Sequence, residues 1–239
     1  MTEIQPLPGK RIDGRRRRAL IALLLLVPVP SLGIACEMIW FPGTLGFSVL
    51  GATKIWIFGL PWFWTALVER RPIVVDRPTS RGLGIGWLTG IVGAIGVVVI
   101  FQLLLRQRID PAVVREMVSR NHLLSPGAYG LVAVYSCVFN SLLEEYLWRW
   151  FVLGKLEELM PRRLAVFASA AAFTLHHTLI LATQFNTEIA VIGSIAVFAA
   201  GVTWSAIYSR TRSIWSAWLS HALIDVAVFW AGWQLLFTP

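Results

Sequence analysis

Residues 128–153 read AYGLVAVYSCVFNSLLEEYLWRWFVL. The run is long enough to cross the hydrocarbon core of a bilayer, which takes roughly 20 apolar residues. Yet its second half carries Glu144, Glu145 and Arg149. Charge inside a membrane helix is expensive unless paired or hydrated, so such groups are first of all candidates for function. Helical spacing puts Glu145 and Arg149, four apart, on one face where they can pair. Glu144 and Glu145 point about 100° apart, which leaves the two carboxylates free for different jobs.

The rest of the chain has the same character. Of its 239 residues, 56% are hydrophobic and 14% charged, where a soluble domain carries about 25% charged residues. Mean hydropathy is +0.68. Seven apolar segments can be marked, at about 19–41, 45–68, 83–105, 128–153, 164–183, 187–208 and 214–237. The expected fold is all-α, a polytopic transmembrane helix bundle of seven helices. An eighth enters the count if the 106–127 connection dips into the membrane. Residues 1–18 are expected to form a disordered basic tail, and 19–239 a single transmembrane domain. Arg15 to Arg18 followed by an apolar run resembles a signal peptide. The run continues past Pro28 and Pro30 to about Phe41 without a cleavage site, so it is read as a retained first helix, kinked at its prolines.

The net charge of +8 would suit nucleic acid, but its placement does not. The basic residues sit in short connections between apolar runs, the pattern that orients helices in a bilayer. Fifteen of them (in the tail and in segments 69–81, 154–163 and 209–213) fall on one side if seven helices alternate, against four in the 106–127 loop on the other. The N-terminus is therefore expected in the cytoplasm. Val113, Val114, Met117 and Val118 recur at helical spacing in that loop, as in an amphipathic helix lying on the membrane surface. Trp40, Trp62, Trp64, Trp87, Trp150, Trp215 and Trp233 lie near span ends, as interfacial anchors do.

Ionisable groups recur in two more spans: His176 and His177 in the fifth, His221 and Asp225 in the seventh. Counted at about 1.5 Å per residue, Glu144, His177, His221 and Asp225 fall in one slab roughly 10 to 20 Å below the cytoplasmic face. Three helices placing rare polar groups at a common depth suggest one shared site. A carboxylate near an imidazole can hold and deprotonate a water that attacks a carbonyl. A second imidazole with a polar neighbour can donate to the resulting oxyanion, and Arg149 would fix Glu145 behind it. The other polar groups have plainer readings. His176 reads as the neighbour of His177, His122 as an exposed loop residue, and Glu157 and Glu158 as a solvated loop face. Glu37, Lys54 and Glu188 read as side chains that sit near span ends or snorkel. Ser141, Ser220 and Cys137 lack a base at a recognisable spacing. Cys36 and Cys137 read as small hydrophobes.

At this point the chain resembles the CAAX-protease and bacteriocin-processing family (CPBP, or Abi) of glutamic intramembrane proteases. That family carries E-E-x-x-x-R, F-x-x-x-H and H-x-x-x-N or H-x-x-x-D on three successive membrane helices. Here stand Glu144-Glu145-Tyr-Leu-Trp-Arg149, Phe173-Thr-Leu-His-His177 and His221-Ala-Leu-Ile-Asp225, in that order. The likeness covers about residues 128–230. It implies that Glu144 and His177 activate the water, that His221 and Asp225 form the oxyanion site, and that Glu145 and Arg149 support them. Asp225 stands where many relatives have Asn. As a carboxylate it would repel an oxyanion, so it is expected to be protonated or to orient His221. The family is usually drawn with about eight helices.

The resemblance implies an endopeptidase acting on a membrane-anchored peptide or protein, either a CAAX-type or a C-terminal sorting tail, in the cell membrane of a prokaryote. No cofactor, metal or nucleic-acid partner is expected, and the sequence is silent on oligomeric state. Two classes compete. Glu144, His177 and His221 could hold zinc in a metal-dependent hydrolase, although no H-E-x-x-H is present. The same buried groups could also serve a transporter or a non-catalytic immunity protein.

Overall fold

The computed structural model describes residues 8–120 and 124–238, and among them every regular element is a helix. Helix α1 runs Pro8–Leu26 and resumes as Val29–Ala35 and Cys36–Trp40. Its break falls at Pro28, which has no N–H to give to the ladder. It is followed by α2 (Thr44–Val68), α3 (Ser80–Leu105), the short α4 (Pro111–Arg120), α5 (Pro126–Leu159), α6 (Arg162–Gln184), α7 (Thr187–Thr211) and α8 (Ile214–Phe237). Seven of these, all but α4, are long and apolar enough to cross a membrane. The protein is an integral, multi-pass membrane protein with the expected all-α bundle. The helix α1 begins at Pro8, so part of the segment read as a disordered tail is helical; residues 1–7 lie outside the described residues.

The bundle is apolar on its outside, as lipid requires. Ile55, Leu103 and Leu131 are all at least 74% exposed. Inside, the second half of α5 forms the axis: Leu147, Trp148, Phe151, Val152 and Leu153 pack against Leu26, Trp64, Phe173, Trp204 and Ile214 from five other helices. Trp64, placed by sequence among the interfacial anchors, is buried here. Lipid supplies no hydrophobic drive for helices to associate, so membrane bundles use small residues to let backbones approach. Gly82, Gly86 and Gly90 of α3 do this against α8, where a Cβ at Gly86 would strike the backbone of Ser216 and one at Gly90 would meet Leu223 and Ser220. That contact sets the position of α8.

Polar ties gather at one end of the bundle. Lys155 bonds Glu69 at 2.5 Å, Arg15 and Arg71 pair with Glu158, and Arg212 pairs with Glu157 at 2.6 Å. Arg162 bonds Ser209. Glu157 and Glu158 are therefore not a solvated loop face. Surrounded by cations from four segments, they cross-link the start of α1, the α2–α3 connection and the loops after α5 and α7. Trp150 and Trp215 donate to the carbonyls of Val74 and Asp76 and pin the α2–α3 connection.

At the opposite end, Ala112 N–H donates to Asp110 and opens α4 behind Pro111. The periodicity of the 106–127 segment was a helix signal, but the apolar face does not lie in lipid. Val114 and Val118 are buried against Tyr129 and Leu236, so α4 caps the far ends of α5 and α8. His122 lies outside the described residues.

Candidate active site

Helix α5 carries the carboxylates on a single α-helical turn, Ser141–Glu145, held between two wider π-type segments, Ser136–Asn140 and Tyr146–Leu153. Such widened turns recur at functional sites. Glu145 is fully buried and its Oε2 lies 3.3 Å from Nε of the equally buried Arg149. The guanidinium is further held 4.6 Å from the centre of the Phe173 ring and 5.1 Å from that of Trp204. These are cation–π distances.

Glu145 also reaches across the bundle. Its Oε1 accepts from Nδ1 of His221 at 2.8 Å, while the imidazole stacks on Trp204 at 3.8 Å. The other ring nitrogen, Nε2, then faces Glu144 Oε2 and Asp225 Oδ1, each at 3.7 Å. Glu145 is thus the group that orients His221, a link between residues 76 positions apart that no helical spacing could disclose. Asp225 sits on the reactive side of the ring instead.

His177 is fixed from its own helix. Its Nδ1 donates to the carbonyl of Phe173 at 3.1 Å, which leaves Nε2 with a free lone pair. Phe173 thus serves Arg149 with its ring and His177 with its carbonyl. Asn140 donates to Glu144 Oε1 at 2.9 Å, one helical turn away. Ligand atoms of Glu144, His176 and His177 all lie within 4.8 Å of one another. His176, read by sequence as a mere neighbour, therefore belongs to the cluster. It is buried, it stacks on Trp148 at 5.5 Å, and its Nδ1 has no partner among the described residues.

A cavity of about 460 Å³ opens beside this cluster. Asn140, Glu144, His176 and His177 form one wall, and Glu37 and Lys54 of α1 and α2 lie on another. His221 and Asp225 do not line it; Glu144 is the member common to the cavity and to the His221 pair. The structure brings together all six residues singled out by spacing (Glu144, Glu145, Arg149, His177, His221 and Asp225). Ser141 and Ser220 are spoken for. The first donates to the Cys137 carbonyl at 2.5 Å, and the second accepts from Trp204 and Thr89.

Residues 126–227 match the family model for type II CAAX prenyl endopeptidases, Rce1-like. Over that segment the chain is similar to the CAAX-protease family. No curated protein and no solved structure matches it. The matched segment runs from the start of α5 through Asp225 on α8 and so holds every residue of the three motifs. Helices α1 to α3 lie outside it, although α1 and α2 supply the opposing cavity wall.

Candidate metal ligands are the same groups as the candidate base. Glu144, His176 and His177 offer one carboxylate and two imidazoles, the donor types zinc favours. His221 is not part of that group of three; Glu145 holds its Nδ1, and its Nε2 faces Glu144.

Proposed function

We propose that this protein is a glutamic-type intramembrane endopeptidase, with the catalytic core at about residues 128–230 of a single transmembrane domain spanning 19–239. One observation carries the reading. The Glu144 carboxylate stands between His177, on a cavity wall, and His221, whose ring is already clamped by Glu145. A water held between Glu144 and His177 Nε2 adds its oxygen to the scissile carbonyl carbon and gives a proton to Glu144. The carbonyl oxygen becomes an oxyanion and accepts from His221 Nε2–H. Glu144 then passes the proton to the departing amide nitrogen as the C–N bond breaks, leaving a new carboxyl and a free amine. His221 takes part as the imidazolium, with Nδ1–H on Glu145 and Nε2–H for the oxyanion; Asp225 and Glu144, each 3.7 Å from Nε2, supply the negative charge that balances it. Electrostatic preorganisation of this kind is worth most where water is scarce.

The substrate is a membrane-anchored peptide with a CAAX-type or sorting-tail C-terminus, and the site belongs to the cell membrane of a prokaryote. A second reading rests on the Glu144, His176 and His177 cluster, which would suit a divalent metal. Purified protein and its Glu144→Gln variant, assayed on membrane-anchored tail peptides by mass spectrometry with and without strong chelator, separate the two. The glutamic reading expects cleavage to survive the chelator and to fall by about 10²–10⁴ in Glu144→Gln. Loss of activity in chelator with recovery on adding zinc would replace it by the metal reading. Cleavage equal to wild type in the variant would remove both.

A further inference from the structure

Lys54 is the one lysine or arginine on the described wall of the active-site cavity. Sequence spacing left it as a snorkelling side chain; in the structure it is exposed, and it lines the cavity. Its ammonium lies 3.4 Å from Oδ1 of Asn140, and Asn140 donates from its amide to Glu144 at 2.9 Å. Gly46 packs on the backbone at Glu37, so Lys54, eight residues further along α2, lies about 12 Å deeper. Glu37, the other acid on that wall, is therefore not its partner. No carboxylate among the described residues pairs with Lys54 within ion-pair distance. The ammonium has three hydrogens to donate, and among the described residues one neutral amide oxygen is the single acceptor it meets.

An intramembrane cation needs an anion or water, and groups of this kind mark substrate pathways. Steadying Glu144 through Asn140 uses one of the three ammonium hydrogens and leaves the others to donate. We propose that Lys54 is the receptor for the C-terminal carboxylate of the substrate tail, a specificity residue that fixes how far from the chain end the peptide bond is cut. The proposal rests on the peptidase reading above. One amide group separates the ammonium from the Glu144 carboxylate, a gap of under about 9 Å, and an extended peptide advances about 3.3–3.6 Å per residue. A tail of at most about two or three residues beyond the scissile bond fits that gap. Complementary charges across a binding site contribute chiefly to selectivity, which is the role a chain-end receptor needs.

The experiment compares one membrane-anchored peptide in two forms, ending in a free carboxylate or in a carboxamide. With wild-type protein the carboxamide should show a KM raised by about tenfold or more with kcat little changed. Lys54→Met should remove the preference, giving the two forms the same KM whatever the common change in kcat. Lys54→Arg should restore most of the preference. Equal KM for the two forms with wild type would overturn the proposal while leaving the peptidase intact. So would a Lys54→Met variant that slows both forms by one factor and keeps the preference. Cleavage of neither form would count against the peptidase reading. The preference is then read without chemistry, from binding of fluorescent carboxylate and carboxamide peptides to Glu144→Gln. About tenfold tighter binding of the carboxylate supports the receptor, and equal binding overturns it.

Discussion

Removing Arg149 would strand Glu145 as a charge with no water and half its partners. Breaking a buried pair from one side costs about 3–5 kcal/mol. Arg149→Met should therefore lower the Tm of the detergent-solubilised protein sharply, where Glu144→Gln on the same helix should hardly move it. Replacing both members, as Glu145→Leu with Arg149→Met, should recover stability without activity, because His221 has then lost the acceptor that orients it. A double variant as unstable as the single one would show that the pair is not what holds this region. Asp225 invites a milder change. An amide in its place keeps size and adds an N–H for the oxyanion, so Asp225→Asn should retain activity, while Asp225→Leu should lose about 10² or more; steady-state cleavage rates decide between these. The pair Glu145–Arg149 was legible in the sequence because both ends sit on one helix four residues apart. The bond from Glu145 to His221 was not, nor were the places of His176 and Lys54, because each depends on how separate helices face one another.

Helix α5 shows how far periodicity carries. Its apolar length marked a span at about 128–153, two residues inside the observed start and six short of the observed end at Leu159. The widened turns either side of Glu144 and Glu145 left no sequence signal, since a π-type turn and an α-turn have the same composition. The 106–127 connection was read correctly as helical in period and wrongly in its surroundings. Val114 and Val118 look alike whether they meet acyl chains or Tyr129 and Leu236. The α3–α8 contact yields the prediction at this scale. Gly86→Leu puts a branched side chain into the backbone of Ser216 and should drive α8 outward, carrying His221 and Asp225 off Glu144. Activity and Tm should both fall. Gly84→Leu, two residues away on the same helix with nothing within 4 Å, should leave both near wild type. Equal damage at the two positions would mean that helix propensity, not the close approach, limits this element.

Across the whole molecule, the basic segments that orient the chain in sequence converge on one end, where Glu69, Glu157 and Glu158 gather them. That convergence supports a cytoplasmic N-terminus. A fluorescent protein fused there should fluoresce, and alkaline phosphatase fused after the last helix should be active; the reverse pattern would invert the bundle. Seven spans, their order and the three polar helices were all legible because lipid forbids exposed backbone and makes every buried charge conspicuous. The cavity was not, for its far wall comes from α1 and α2, which lie outside the family match. The central claim is that Glu144 and His177 work on one water as a single unit. Residues that act together are not additive, so the decisive measurement is a double-mutant cycle in kcat on a membrane-anchored tail peptide. Glu144→Gln with His177→Phe should be no slower than the slower of the two single variants. A double variant slowed by the product of the single effects would mean that the two side chains act independently, and would contradict the mechanism.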